Sequence, residues 1–141
     1  MNESFSVLKF NRYVIDTINF KLNSEYKENE EGIEVVFDFD SDFHIDIDNG
    51  TMKVELCASI FKNAVENAYP FEMSVKMIGY FSIEGDTSYL EKFKSNAVAI
   101  LFPYLRSLIS TYTVNANISP IILPAMNINA YLERKRLNNE K

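Results

Sequence analysis

Apolar residues recur at every second position through much of the first half of the chain. Ile33, Val35, Phe37 and Phe39 alternate with Glu34, Val36, Asp38 and Asp40. Phe43, Ile45 and Ile47 then alternate with His44, Asp46 and Asp48. Period two marks a strand with one buried face. Residues 5–22, rich in aromatic and β-branched side chains, read as a further strand. Asp48-Asn49-Gly50-Thr51 predicts a hairpin, because Asn-Gly accepts the positive φ of a type I′ turn. A two-residue turn there pairs Ile47 with Met52, Ile45 with Val54 and Phe43 with Leu56 on one face. The other face then pairs Asp46 with Lys53 and His44 with Glu55. Residues 71–83 predict another strand, with Phe71, Met73, Val75 and Met77 opposite Glu72, Ser74 and Lys76. From Ile78 onward both of its faces are apolar, and Gly79 implies a bulge or a close backbone approach.

The period changes after residue 87. Ser88-Tyr-Leu-Glu91 fits a capping box and predicts a helix start. Leu90, Phe93, Ala97, Ile100 and Tyr104 form one apolar stripe, and Val98, Leu101, Leu105, Leu108 and Tyr112 a second. A helix buried on one side needs a single stripe, so two imply a sheet on one side and another subunit on the other. Pro103 removes a backbone donor and predicts a kink near residues 99–102. Residues 121–126 are apolar but broken by proline and read as an extended loop, after which Asn127 caps a short helix to about Leu137. Residues 24–31 form the one plainly solvated stretch, read as a loop within a single domain spanning 1–141.

Composition narrows the function. With 141 residues, 47% hydrophobic and 24% charged, the chain has the make-up of one folded domain. A net charge of −6 opposes binding to nucleic acid or to an anionic lipid surface. The apolar stretch 97–109 contains Pro103 and Arg106 and falls short of the roughly 20 residues of a membrane span, so no membrane insertion is expected. Met1-Asn-Glu-Ser-Phe5 lacks the basic and apolar regions of a signal peptide, and the lone Cys57 cannot form an internal disulfide. A cytoplasmic protein is expected.

No catalytic constellation emerges, and an enzyme is not expected. His44 reads as a cross-strand partner of Glu55, and Cys57 as an inert half-buried thiol. Asp38-x-Asp40-x-Asp42 has the start of a calcium loop, but position six is Phe43 and position twelve is Asn49. There is no phosphate-binding glycine loop and no metal-ligand spacing, so neither metal nor cofactor is expected. What stands out is 11 Phe, 8 Tyr and 5 Met with no Trp. Such a surplus serves a core with an oligomer interface, or an exposed groove for apolar peptide segments. Met and aromatic side chains suit loose recognition because they repack around varied partners.

Three stretches bear a resemblance to a known family. They are Ile33-Glu-Val-Val-Phe-Asp-Phe-Asp40, Phe71-Glu-Met-Ser-Val-Lys-Met-Ile-Gly-Tyr-Phe-Ser-Ile83-Glu-Gly85, and Ile100-Leu-Phe-Pro-Tyr-Leu-Arg106 with Ser110 and Leu123-Pro-Ala-Met-Asn127-Ile-Asn-Ala130. Phe-Pro-Tyr-x-Arg is unusual inside a helix, where proline is costly. With the order of elements, these segments resemble the SecB family of tetrameric export chaperones over nearly the whole chain. The resemblance implies an α+β fold: a four-stranded antiparallel sheet of Greek-key type, one long kinked helix and one short C-terminal helix. It implies a homotetramer, a dimer of dimers, whose long helices meet through Leu101, Tyr104, Leu105, Leu108 and Tyr112. It also implies ATP-independent holding of unfolded or pre-secretory polypeptides in apolar grooves lined by Phe37, Phe39, Phe71, Met126, Ile128 and Leu132.

Departures from the family qualify its partners. Export members dock the translocation motor SecA through carboxylates, where this chain aligns Thr17, Lys21 and Ser74. Its end, Leu132-Glu-Arg-Lys-Arg-Leu-Asn-Asn-Glu-Lys141, is short and basic. Reversed charge weakens such docking, which speaks against a motor partner. The alternatives are a dedicated chaperone of one client, such as an antitoxin, or a non-catalytic oligomeric adaptor.

Overall fold

The computed structural model describes residues 6–27, 34–118 and 121–139. Four strands, β1 (Val7–Leu22), β2 (Phe37–Asp46), β3 (Thr51–Ile60) and β4 (Phe71–Glu84), form one sheet in the order β1-β4-β3-β2, and every pairing is antiparallel. Three consecutive strands with the first returned beside the last make a Greek key. A single helical turn, α1 (Ala64–Asn67), joins β3 to β4. A 3-10 helix (Thr87–Phe93) leads into the long helix α2 (Lys94–Asn115), and α3 (Ile128–Asn139) closes the chain. Ile33, expected in the second strand, lies outside the described residues.

The period-two reading holds with one shift of register. β2 and β3 pair Phe43 with Val54, Ile45 with Met52 and His44 with Lys53, so each partner is displaced by two residues from a two-residue turn. The loop spans residues 47–50. Asp46 does not face Lys53 but closes this turn, its carboxylate accepting from the Asn49 backbone N–H at 3.2 Å and from Nδ2 at 2.7 Å. Gly50 adopts φ 65° and its carbonyl accepts from Ile83 at 2.9 Å, tying the turn to β4. A slip of two keeps every side chain on its own face, so Met52, Val54 and Leu56 remain buried. Ile47, expected to pair with Met52, is 48% exposed.

β1 departs from strict alternation because its register shifts between Phe10 and Arg12 and again between Ile15 and Thr17. Each irregularity absorbs one extra residue. Phe10, Tyr13, Ile15, Ile18 and Phe20 thereby all share the face of Phe81, Gly79, Met77, Val75 and Met73 on β4. At the far end of β1, Asn23 fastens the connection toward β2. Its Nδ2 donates to the carbonyls of Ala64 at 3.3 Å and Tyr69 at 3.0 Å, and its Oδ1 accepts from Glu25 N–H at 3.1 Å.

The helical segment begins two residues earlier than the sequence implies. Asp86, not Ser88, is the cap, accepting from Ser88 N–H at 2.9 Å, and the first turns are 3-10. Leu101, Leu105 and Ile109 are fully buried on the sheet. Leu101 and Leu105 therefore belong to the core and not to an outward stripe. Gly79 permits this seat, since a Cβ there would lie 2.6 Å from Leu101 Cδ1 and 2.9 Å from Phe81 Cε1. Pro103 occupies the exposed face of α2, where the carbonyl of Ala99, also exposed, can turn to water. Helical residues Thr87–Asn115 are long and apolar enough, by length and composition, to cross a membrane, which the shorter stretch 97–109 did not imply. Much of that apolar character is spent on the sheet. Beyond α2, Thr113 Oγ1 accepts from Ile121 N–H at 3.0 Å and Ser110 Oγ donates to the Ile121 carbonyl at 2.8 Å. This clamp sends Ile121 and Leu123 into the core.

Gly79→Ala should destabilise the fold by about 1–3 kcal/mol through overpacking. Urea unfolding should show a lower midpoint at unchanged slope. The penalty should shrink in a Leu101→Ala background, where the colliding methyls are gone.

Candidate functional site

The sheet has two unlike faces. On the inner face, β2, β3 and β4 present the core. On the outer face they present Asp38, Asp40, Asp42, His44, Lys53, Glu55, Cys57, Ser59, Glu72, Ser74 and Lys76, none of them fully buried. Apart from Ile78 and Tyr80 on β4, opposite Glu55 and Lys53, these strands show a polar outer face, and larger apolar surface lies at the margins of the inner face.

The margin along β2 is formed by α3. Asn127 Oδ1 caps this helix by accepting from Ala130 N–H at 3.0 Å, as expected. Asn129 Nδ2 ties it to α2 by donating to the Ser95 carbonyl at 2.9 Å. Between β2, the start of α2 and α3 lies an open cleft of about 700 Å³ with Phe43, Val98 and Leu132 among polar walls that include Lys94, Ser95 and Asn129. Beside it, Phe37 meets Phe39 at 5.3 Å and Tyr131 at 6.5 Å between ring centroids. Phe39 also packs edge-on against Phe102 at 5.2 Å.

The six groove candidates divide accordingly. Leu132 lines the cleft, and Phe37 and Met126 are half-buried against the core near it in the fold or chain. Phe39 and Ile128 are buried beneath α3's side of the sheet, at 0% and 4% exposure. Phe71 belongs to another cluster, with Phe20 and Phe61 each 5.2 Å away. Of the expected subunit contacts, Tyr104 is exposed and packs at a tilt against Tyr13, 4.9 Å between ring centroids, while Leu108 and Tyr112 are half-buried.

Sequence reasoning did not find the polar clasp that holds α3. Lys135 Nζ donates to Asp38 Oδ1 at 2.9 Å and Oδ2 at 2.8 Å, to Asp40 Oδ1 at 2.7 Å and to the Phe39 carbonyl at 3.1 Å. The Tyr131 hydroxyl donates to Asp38 as well. Asp38 and Asp40 look outward while Phe37 and Phe39 look inward, so α3 grips the edge strand on both sides. The available signal was the acidic row Asp38-x-Asp40 against the basic run Arg134-Lys135-Arg136, but nothing local says the two meet.

Burial pushes the Asp38 carboxyl up, but the hydrogen bonds from Lys135 and Tyr131 outweigh it and leave it below its usual 3.8. Burial lowers Lys135, yet Asp38 and Asp40 leave it raised above its usual 10.5. Burial and the Asp38 hydrogen bond raise Tyr131. On the outer face, burial raises the Cys57 thiol, with Lys76 opposing and Glu55, Asp40 and Asp42 adding to it, so the thiolate is disfavoured. His44 stands opposite Lys53 in register, and its Nε2 lies 3.9 Å from Glu55 Oε2 and 3.6 Å from Asp42 Oδ2.

Comparison with known proteins agrees with this architecture. The fold is SecB-like: it matches the SecB-like chaperone Rv1957 of Mycobacterium tuberculosis, solved in complex with a ChAD peptide from the Rv1956 HigA1 antitoxin. That alignment has a TM-score of 0.65, covers 84% of this chain and 87% of the other, and carries 10% sequence identity. The chain belongs to the family of the uncharacterized protein MJ0357 of Methanocaldococcus jannaschii, at 36% identity over 143 residues, covering 95% of this chain and 90% of its relative. No protein-family model matches the sequence.

The clasp contributes in full above the ordinary carboxylate value of 3.8 and fades as pH falls through the lowered Asp38 value. At the alkaline end it is complete below 10.5 and is lost as pH rises through the raised Lys135 value. Hydrogen-exchange protection of α3 should therefore be flat between about pH 5 and pH 9 after correction for intrinsic rates. Lys135→Ala should lower that protection about two- to fivefold, as suits a solvent-screened ion pair, and leave β3 and β4 unchanged. Uniform loss across the sheet would contradict a local clasp.

Proposed function

We propose that the protein is a non-enzymatic, ATP-independent holdase of the cytoplasm that binds extended segments of non-native polypeptides. The observation that carries this reading is the partly apolar cleft between the edge strand β2 and α3, in a fold shared with a chaperone solved with a bound antitoxin peptide. An extended segment lying there would place side chains on Phe43 and Leu132 and its backbone beside β2, a strand-addition mode. Lys94, Asn129 and the clasp would form a polar rim. Holding a chain in this way needs neither nucleotide nor metal. Assembly into a tetramer would use the outward side of α2 and β1, where Tyr13 and Tyr104 are 40% and 43% exposed.

A narrower client range is the second reading. The deepest aromatic side chains expected in the groove, Phe39 and Phe71, are closed into the core, which leaves a short apolar floor. A floor of that size suits one dedicated segment, such as part of an antitoxin, better than any exposed apolar stretch. An adaptor without holdase activity would bind neither.

A chemically denatured enzyme diluted into rising amounts of the chain, without nucleotide, should aggregate less, saturating near one client per assembly. Leu132→Asp should keep the fold and weaken client affinity at least about tenfold, equivalent to ~1.4 kcal/mol. Phe39→Asp should unfold the domain, because it places a charge in the core. A folded chain with no affinity for any unfolded polypeptide would refute the reading, and binding of a single peptide without general suppression would select the dedicated form.

A further inference from the structure

On the outer face of the sheet, away from the cleft, β2 and β3 bring together three side chains that the proposed function does not use. Asp42 and Glu55 stand directly opposite one another in the β2–β3 register. Two carboxylates in that relation are mutually destabilising. The neighbouring acidic pair on β2, Asp38 and Asp40, shares the ammonium of Lys135. Among the described residues, Asp42 and Glu55 have no such lysine or arginine; the group within ion-pair distance of both is the imidazole of His44. We infer that Asp42, His44 and Glu55 form a binding site for one divalent transition-metal ion of the zinc type.

The geometry suits that ion. His44 Nε2 lies 3.6 Å from Asp42 Oδ2 and 3.9 Å from Glu55 Oε2, and one ligand atom of each residue falls within 4.8 Å of the others. Tetrahedral zinc with bonds of about 2.0–2.2 Å separates its ligands by about 3.4 Å, so closure needs small side-chain shifts. The frame is rigid, since all three residues project from paired strands. Asp42 is oriented in advance: its Oδ1 accepts from Phe43 N–H at 2.9 Å, which leaves Oδ2 facing the imidazole. Such outer partners fix ligand direction. Side-chain exposures of 54% for His44 and 69% for Asp42 leave the outer coordination positions to water or a further ligand. The donor set, one imidazole and two carboxylates, selects borderline transition ions. Calcium prefers six or more oxygens. Charge also favours it: a dication removes the repulsion between two facing carboxylates. Lys53, Cys57, Asp40 and, on β4, Lys76 and Tyr80 are the other ionisable groups around it on this face. The sequence gives little warning, because Asp42-x-His44 is a strand alternation and Glu55 arrives across the hairpin.

The test is zinc binding by the full chain, read by competition with a chromophoric chelator. One zinc per chain is expected, with a rise in Tm on addition of zinc. His44→Ala and Glu55→Gln should each weaken zinc at least about tenfold and abolish the Tm rise. Asp48→Asn and Cys57→Ser should leave both unchanged, and calcium in equal amount should not displace zinc. No competition by the wild-type chain, full affinity in His44→Ala, loss in Cys57→Ser, or displacement by calcium would each overturn the site.

Discussion

A single helix about 10–12 Å across cannot cover a four-stranded sheet roughly 15–19 Å wide. That mismatch governs the molecule. α2 is seated along β4, where Gly79 admits Leu101, and it buries the middle of the inner face. Two apolar margins remain. On one side the loop from Ile121 and the helix α3 fold back along β2. On the other, Phe10, Tyr13 and Tyr104 pack together beside β1. The outer face escapes the problem because its strands carry mainly polar side chains there. A sheet covered by one helix thus leaves apolar surface in two places, and those are the places where a client and a second subunit are proposed to bind.

The β2 margin is held in a particular way. The α3 helix buries only Ile128 completely and is otherwise fixed by the Asn129–Ser95 bond, Tyr131 and the Lys135 clasp. A helix secured by solvent-screened polar contacts opens at lower cost than one secured by apolar burial. The cleft is then adjustable while the core beneath it, with Phe39 against Phe102, stays fixed. Adjustable walls on a fixed floor are what a binder of varied extended segments requires.

Much of this was legible in the residues. Strand positions, the long helix, the loop at Ile121 and the Asn127 cap follow from local periodicity and capping chemistry, because each is decided within a few residues. The close approach at Gly79 was also foreseeable from a glycine inside an apolar strand. The exceptions are informative. Asn-Gly favoured a two-residue turn, but the loop has four residues, with the Asp46 side chain bonded to Asn49 across it, and the register moved by two. Asp86 outcompeted Ser88 as cap. Leu101 and Leu105 were assigned to a subunit contact because two stripes on a helix do not reveal which one meets the sheet. The clasp was out of reach altogether, since Lys135 lies 97 residues from Asp38 and its partnership depends on the folded path. The groove residues divided for a related reason: likeness of sequence does not tell how deep each apolar side chain is buried.

The most direct measurement is site-specific photo-crosslinking of an unfolded client. A photoreactive side chain placed at Leu132, in the cleft, should capture the client efficiently. The same group at Lys9, exposed on β1, should not. Capture at position 9 equal to or above that at position 132 would contradict a client site between β2 and α3.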